Sequence, residues 1–324
     1  MSEALPDFTL IRPATVEAAV DALRSSPSAR PCGGGTDLIV NMRHGLVDPE
    51  TLVDLDGIAE IKGIEADAAG LHVGAGVTLR ELTESGALGG AYTALRQAAL
   101  AVAGPGHREA ATVGGNLCLD TRCLYYNQSH WWRKSNDFCL KYRGDICHVA
   151  PQGNRCRAAF SGDIAPALMV LGAEIDIAGP DGTRRVPLPD LYREDGADHL
   201  TLAPAEIVTR IHLPPGRGKS AYGKIRIRGA IDFPLAGVAV ACERTDVGTT
   251  RFNLAVTGTN SCPVAVDGPA PLARGDDREA YFAGLEKLVQ KTVSPQRTTT
   301  AAAHYRRLSV SALAARLAKG LADG

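Results

Sequence analysis

Pro31-Cys32-Gly33-Gly34-Gly35-Thr36-Asp37-Leu38 is the stretch on which the reading of this chain turns, and Ala111-Thr112-Val113-Gly114-Gly115-Asn116 repeats its texture. Both are glycine runs edged by small polar side chains. Glycine lets backbone N–H groups close on a pyrophosphate without a Cβ in the way, and Thr36, Thr112 and Asn116 add polar groups beside them. Spacing alone leaves a second reading open, two tight turns with no ligand.

Outward from the first loop, Phe8–Ile11 reads as a short strand. Pro13 and Thr15 then mark the start of a helix whose apolar face is Val16, Ala19, Val20 and Leu23. Strand-like Leu52–Leu55 follows, and Leu71–Gly76 runs into Thr78-Leu79-Arg80-Glu81, a capping box. A helix over Tyr92–Ala103 stops at Gly104-Pro105, just before the second loop. Beyond it, Ser161-Gly162-Asp163 opens an apolar helix, Ile164–Leu171, and strand-like Ala173–Ala178 meets a turn at 179–182. Pro214-Pro215-Gly216-Arg217-Gly218 marks a boundary between residues 1–217 and residues 218–324. The second part begins with strands (Ala221–Arg228, Leu235–Glu243, Phe252–Thr257) and closes with helices near Arg278–Val293 and Thr300–Leu321, an α+β order.

Composition narrows the function classes. The 324 residues carry 35 basic and 36 acidic side chains, which excludes a nucleic-acid binder working by bulk charge. There is no run of about 18 apolar residues and no apolar segment near the start, so the expectation is a cytoplasmic chain that neither spans a membrane nor carries a secretory signal. Gly216-Arg217-Gly218-Lys219-Ser220 imitates the end of a P-loop, but Leu213 stands where its first glycine belongs. Gly74-Ala75-Gly76 begins a dinucleotide fingerprint that Leu79 breaks.

The cysteines are the odd feature. Five of the 8 lie in one stretch, as Cys118, Cys123, Cys139, Cys147 and Cys156. In a reducing compartment, clustered thiols bind metal or do redox work more often than they pair. Only the first pair approaches zinc-site spacing, whereas an iron–sulfur cluster tolerates irregular spacing. Inert buried thiols remain the alternative, and spacing does not choose four ligands from five. Residues 118–157 differ from the rest in other ways too. They hold six of the 16 aromatics, both tryptophans among them. Seven basic side chains (Arg122, Arg133, Lys134, Lys141, Arg143, Arg155, Arg157) stand against Asp120, Asp137 and Asp145, a net +4. With few aliphatics, the segment reads as an insert held by something other than its own core.

Gly33–Leu38, Thr112–Asn116 and Ser161-Gly162-Asp163 with Pro166-Ala167-Leu168 resemble, in order, the flavin-carrying medium subunits of the molybdenum hydroxylases. The resemblance runs across nearly the whole chain. It implies a vanillyl-alcohol-oxidase-type FAD-binding domain followed by a C-terminal domain of the CO-dehydrogenase flavoprotein type. It implies FAD contacts from Cys32, Gly33, Gly34, Gly35, Thr36 and Asp37, from Thr112, Val113, Gly114, Gly115 and Asn116, and from Asp163, Lys224 and Val102. The insert, with Asp120-Thr121-Arg122-Cys123, Trp131-Trp132-Arg133 and Cys139-Leu140-Lys141-Tyr142, is similar to that of the β subunits of 4-hydroxybenzoyl-CoA reductases. That likeness implies one [4Fe-4S] cluster on Cys123, Cys139, Cys147 and Cys156, and leaves Cys118 in the flavin loop. The implied enzyme removes the phenolic hydroxyl of its acyl-CoA substrate to give benzoyl-CoA. Reduced ferredoxin supplies the electrons, and the molybdenum cofactor and [2Fe-2S] clusters sit on a large and a small partner subunit, assembled as a dimer of heterotrimers. The substrate site then lies on another subunit, so no catalytic residue is expected here. Two alternatives stand beside it, the flavin subunit of an oxidative molybdenum hydroxylase and a zinc-stapled structural subunit. The net charge of the insert raises one further expectation, a basic dock for an acidic ferredoxin. Its alternative is that the cations offset a negatively charged cluster.

Overall fold

A computed structural model describes residues 5–268 and 270–323. Three short parallel strands, β1 (Thr9–Ile11), β2 (Arg30–Cys32) and β3 (Thr51–Asp54), form a sheet in the order β1-β3-β2. Between β1 and β2 runs α1 (Val16–Arg24), started by Thr15, whose side chain accepts from the Ala18 amide. Its Ala19, Val20 and Leu23 are buried against Val53, Ile58 and Ile61, as the apolar spacing requires. The chain leaves β2 straight into the first glycine loop and then enters α2 (Leu38–Arg43). The loop therefore lies at the C-terminal end of a parallel strand, where open α/β sheets place ligands.

Five antiparallel strands make the second sheet: β4 (Ile64–Asp67), β5 (Gly70–Gly74), β6 (Glu174–Gly179), β7 (Gly182–Pro187) and β8 (Ile207–Leu213), in the order β4-β5-β8-β6-β7. Sequence reading found β6 and much of β5 but not β4, β7 or β8. The partners of β8 lie far away in the chain, and no tight turn announces it. Between β5 and β6 run α3 (Leu79–Glu84), α4 (Thr93–Ala101), α5 (Pro105–Arg108), α6 (Val113–Leu117), α7 (His130–Ser135) and α8 (Ile164–Val170). The capping box of Thr78 and Glu81 forms at the start of α3.

The third sheet is antiparallel, with β9 (Lys219–Ile225), β10 (Ala236–Arg244), β11 (Thr250–Thr257) and β12 (Val264–Val266) in the order β12-β11-β10-β9. β9 ends three residues earlier than its composition suggests, because Asp232 accepts from the amides of Ile227 and Arg228, both at 3.0 Å, and folds the chain back. β10 is buried on both faces. Val238, Val240 and Cys242 pack with α9 (Arg278–Thr292) and α10 (Ala303–Asp323), while Ala239 and Ala241 join the main core with Leu168 and Leu95. Valine on one face and alanine on the other lets α8 approach the sheet closely. No helix among the described residues is long and apolar enough to cross a membrane.

Candidate functional site

The two glycine loops meet backbone to backbone. A Cβ on Gly34 would stand 1.6 Å from the Ala110 carbonyl oxygen, and one on Gly33 would stand 2.7 Å from Thr112 Oγ1. Only glycine permits that approach. The loops nevertheless differ in what they offer a ligand. In the second, Val113 N donates to Val77 O at 2.9 Å, Gly114 N to Ala75 O at 2.8 Å, Asn116 N to Thr112 O at 3.0 Å and Gly115 N to Thr112 Oγ1 at 3.1 Å. Those amides are spent on capping α6 and pinning it to the turn that follows Gly74. In the first, the amides of Gly33, Gly34, Gly35 and Thr36 have no acceptor among the described residues. Four successive free N–H groups form a nest suited to phosphate oxygens. The sequence treated the loops as equals; the fold leaves amides free in the first and uses them within the frame in the second.

Other expected flavin residues are bound up in the frame. Asn116 Oδ1 accepts from Ile164 N at 3.2 Å and so serves the start of α8, whose own Asp163 makes no cap bond. Asp163, 3% exposed, accepts from Tyr222 OH at 2.6 Å and from Lys224 Nζ at 3.0 Å. Burial pushes the Asp163 carboxyl up, while the Lys224 ammonium and the Tyr222 hydroxyl pull it back. Lys224 also donates to Ala101 O at 3.0 Å, beside Val102 at the end of α4. The fold thus brings Asp163, Lys224 and Val102 to one corner. Tyr222, which sequence reading missed, completes it. It lies two residues before Lys224 on β9, hence on the same face, and that period was the available signal. Cys32 is half-buried at the end of β2, where burial raises its thiol pKa.

Asp37 reaches the other way. It pairs with Arg122 and accepts from Asn41 Nδ2 at 3.1 Å. Arg122 also lies 4.8 Å from the centre of the Phe233 ring, and burial lowers its pKa to about 10. The next residue is Cys123. Arg122 is therefore the bracket between the glycine loop and the cysteine-rich segment, a link no local pattern shows.

Cys123, Cys139, Cys147 and Cys156 are all buried and line one small pocket with Tyr125, Tyr126 and Lys141. Cys118 is not among its lining residues and packs against the main core instead. Burial pushes the Cys123 thiol up to about 11 and the Cys156 thiol to about 12. Metal binding here would therefore release protons. Among the described residues no three His, Cys, Asp or Glu side chains close on a single ion. Four thiols on one pocket are a donor set of the kind iron–sulfur clusters take.

The segment owes its place to outside contacts. Arg122 and Ala159 exchange backbone bonds at 2.8 Å, Leu124 N donates to Thr298 O at 2.8 Å, and Gly196 N donates to Cys156 O at 3.0 Å. The expected basic dock is not what the surface presents. Arg133 is buried, Lys141 is bound to Asp120 at 2.6 Å, Arg155 to Glu194 at 3.1 Å, and Arg122 to Asp37. The exposed charges of the segment are Lys134 and Arg143 against Asp137 and Asp145, which cancel. Its positive charge is internal.

Residues 6–216 match the family described as the FAD binding domain in molybdopterin dehydrogenase. The chain belongs to that family. Over 237 residues it is 35% identical to the aldehyde oxidoreductase FAD-binding subunit PaoB of Escherichia coli (strain K12), covering 70% of this chain and 74% of that one. It is 29% identical to the carbon monoxide dehydrogenase medium chain of Afipia carboxidovorans over 261 residues, 79% of this chain and 76% of that one. A chain of the solved Cu,Mo-CO dehydrogenase superposes with a TM-score of 0.78 at 24% identity over 98% of both chains, and one of quinoline 2-oxidoreductase from Pseudomonas putida 86 at 0.77 and 20% over 99% of both. The molybdopterin dehydrogenase family makes this chain an FAD-binding oxidoreductase subunit, and the free amides of Gly33–Thr36 fit the pyrophosphate of that flavin.

Proposed function

We propose that this chain is the electron-transfer subunit of a molybdenum enzyme, holding FAD between residues 32–37 and 112–116 and one [4Fe-4S] cluster on Cys123, Cys139, Cys147 and Cys156. The observation that carries the cluster is the convergence of those four thiols, and not Cys118, on one pocket. When bound, FAD supplies one- and two-electron exchange and the cluster one-electron exchange. The chain's own residues hold and shield them. Gly33–Thr36 offer N–H groups to the pyrophosphate, and Asp163 with Lys224 forms a fixed polar corner beside the flavin. Tyr126 and Ala158, both buried, keep water from the thiols. No substrate acid, base or nucleophile belongs to this mechanism.

The insert's likeness to 4-hydroxybenzoyl-CoA reductase supports reductive dehydroxylation to benzoyl-CoA in anaerobic aromatic degradation. Reduced ferredoxin is then the donor, and the molybdenum and [2Fe-2S] groups sit on large and small partners in a dimer of heterotrimers. A second reading has a specific observation behind it, the 35% identity to an aldehyde oxidoreductase subunit. There the substrate is oxidised and electrons leave through this chain. The assembled enzyme separates the two: ferredoxin-driven turnover of 4-hydroxybenzoyl-CoA supports the first, and aldehyde-driven reduction of its FAD supports the second.

The cofactor assignment has its own test. Anaerobically purified protein is expected to carry about four iron atoms and one FAD per chain. Serine at Cys123, Cys139, Cys147 or Cys156 should lose the iron and retain FAD, while Cys118→Ala keeps both. Zinc in place of iron, or a full FAD load with no iron, would overturn the cluster.

A further inference from the structure

Arg133 lies in the last turn of α7 and is among the largest fully buried side chains, 2% exposed. Its Nε donates to Gln128 O at 3.2 Å and its Nη2 to Gly45 O at 2.6 Å. Its guanidinium lies 4.5 Å from the centre of the Tyr142 ring and 6.0 Å from that of Tyr126. Nη1 has no acceptor, and no carboxylate among the described residues pairs with the side chain. Arg306, the other large buried arginine, also lacks a carboxylate, but each of its three nitrogens finds an oxygen. Arg133 is thus a buried cation left short of both a bond and a counter-charge. Such burial is strongly unfavourable unless negative charge lies nearby.

The surroundings show where that charge belongs. Tyr126 packs with Cys123, Cys139 and Cys156 in a small satellite core, so Arg133 stands one aromatic ring behind the thiol pocket. The seven cations of the segment also sort themselves. Arg122, Lys141 and Arg155 have carboxylate partners, and Lys134 and Arg143 are balanced at the surface by Asp137 and Asp145. Arg133 and the half-buried Arg157, whose Nε also lacks an acceptor, are left unpaired.

We propose that Arg133 is the interior counter-charge of the cluster and raises its reduction potential. This rests on the [4Fe-4S] reading above. A thiolate-ligated cluster is an anion, and taking up one electron makes it more negative by one. A fixed cation behind Tyr126 favours the reduced form, and low polarisability around the pocket keeps the effect from being screened. Arg133 touches no thiol here, so it acts through the field it sets rather than by contact.

Potentiometric titration of the anaerobic enzyme, with dithionite as reductant, tests this in the wild type, Arg133→Gln and Arg133→Lys. Iron and FAD are assayed in each. Wild-type protein without iron would refute the cluster reading itself, separately from the role of Arg133. With iron present, the Gln variant is expected to keep FAD and move the one-electron reduction equilibrium at least tenfold toward the oxidised cluster, about 59 mV per tenfold step. The Lys variant, which keeps the charge, is expected to stay within threefold of wild type. A Gln variant at full iron load and wild-type potential overturns the proposal. Should the Gln variant fail to fold or to hold iron, Arg133→Met at full iron load decides in its place: a tenfold fall supports the charge effect, and wild-type potential overturns it.

Discussion

Replacing Gly34 with alanine is expected to yield protein with less than a tenth of the wild-type flavin. The added methyl would stand 1.6 Å from the Ala110 carbonyl oxygen and 2.2 Å from its carbon, both backbone atoms that cannot rotate away. The two loops must therefore part. That shift removes the nest of free amides at Gly33–Thr36 and costs about 1–3 kcal/mol as overpacking. Gly106→Ala, whose methyl meets nothing within 4 Å, is the matched control and should keep its flavin. Flavin absorbance per chain reads both variants, and a fully loaded Gly34→Ala protein would remove the cradle as placed here. Iron should survive in either, since the four cysteines sit on other segments.

The second large effect belongs to the corner at Asp163. Lys224→Met leaves a carboxylate that is 3% exposed with the Tyr222 hydroxyl as its one hydrogen-bond partner and Arg226 as the remaining nearby cation. Removing one partner of a buried ion pair costs about 3–5 kcal/mol, mostly for the charge left behind. The pair spans the start of α8, strand β9 and, through Ala101, the end of α4, so its loss loosens the seam between the flavin-binding part and the third sheet. Asp163→Asn combined with Lys224→Met removes both charges and should recover much of that loss. Equilibrium urea unfolding of the two single variants and the double variant measures it. Strict additivity in that cycle would show the two side chains to be energetically independent, contrary to the 3.0 Å contact.

The glycine loops, the face of α1 and the capping box of α3 were legible because each is a local backbone requirement written into adjacent residues. The four thiols were legible as chemistry but not as a set from spacing, which left five candidates; the family likeness left out Cys118, and the pocket lining leaves it out too. Arg122 had no local signal, because Asp37 reaches it from a distant stretch of chain. The net charge of residues 118–157 misled for a related reason. Counting gives its sign but not its depth, and most of those cations proved to be buried or paired.

By itself the sequence supplied two glycine runs in which backbone can approach closely, and more cysteines than a chain of 324 residues needs for stability. Only the tertiary structure decided which of two similar loops keeps free amides, that the four thiols line one pocket, and that most of the positive charge of residues 118–157 is buried or paired. Those outcomes depend on hydrogen bonds and burial between segments far apart in the chain. No local window of sequence contains both partners of such a contact.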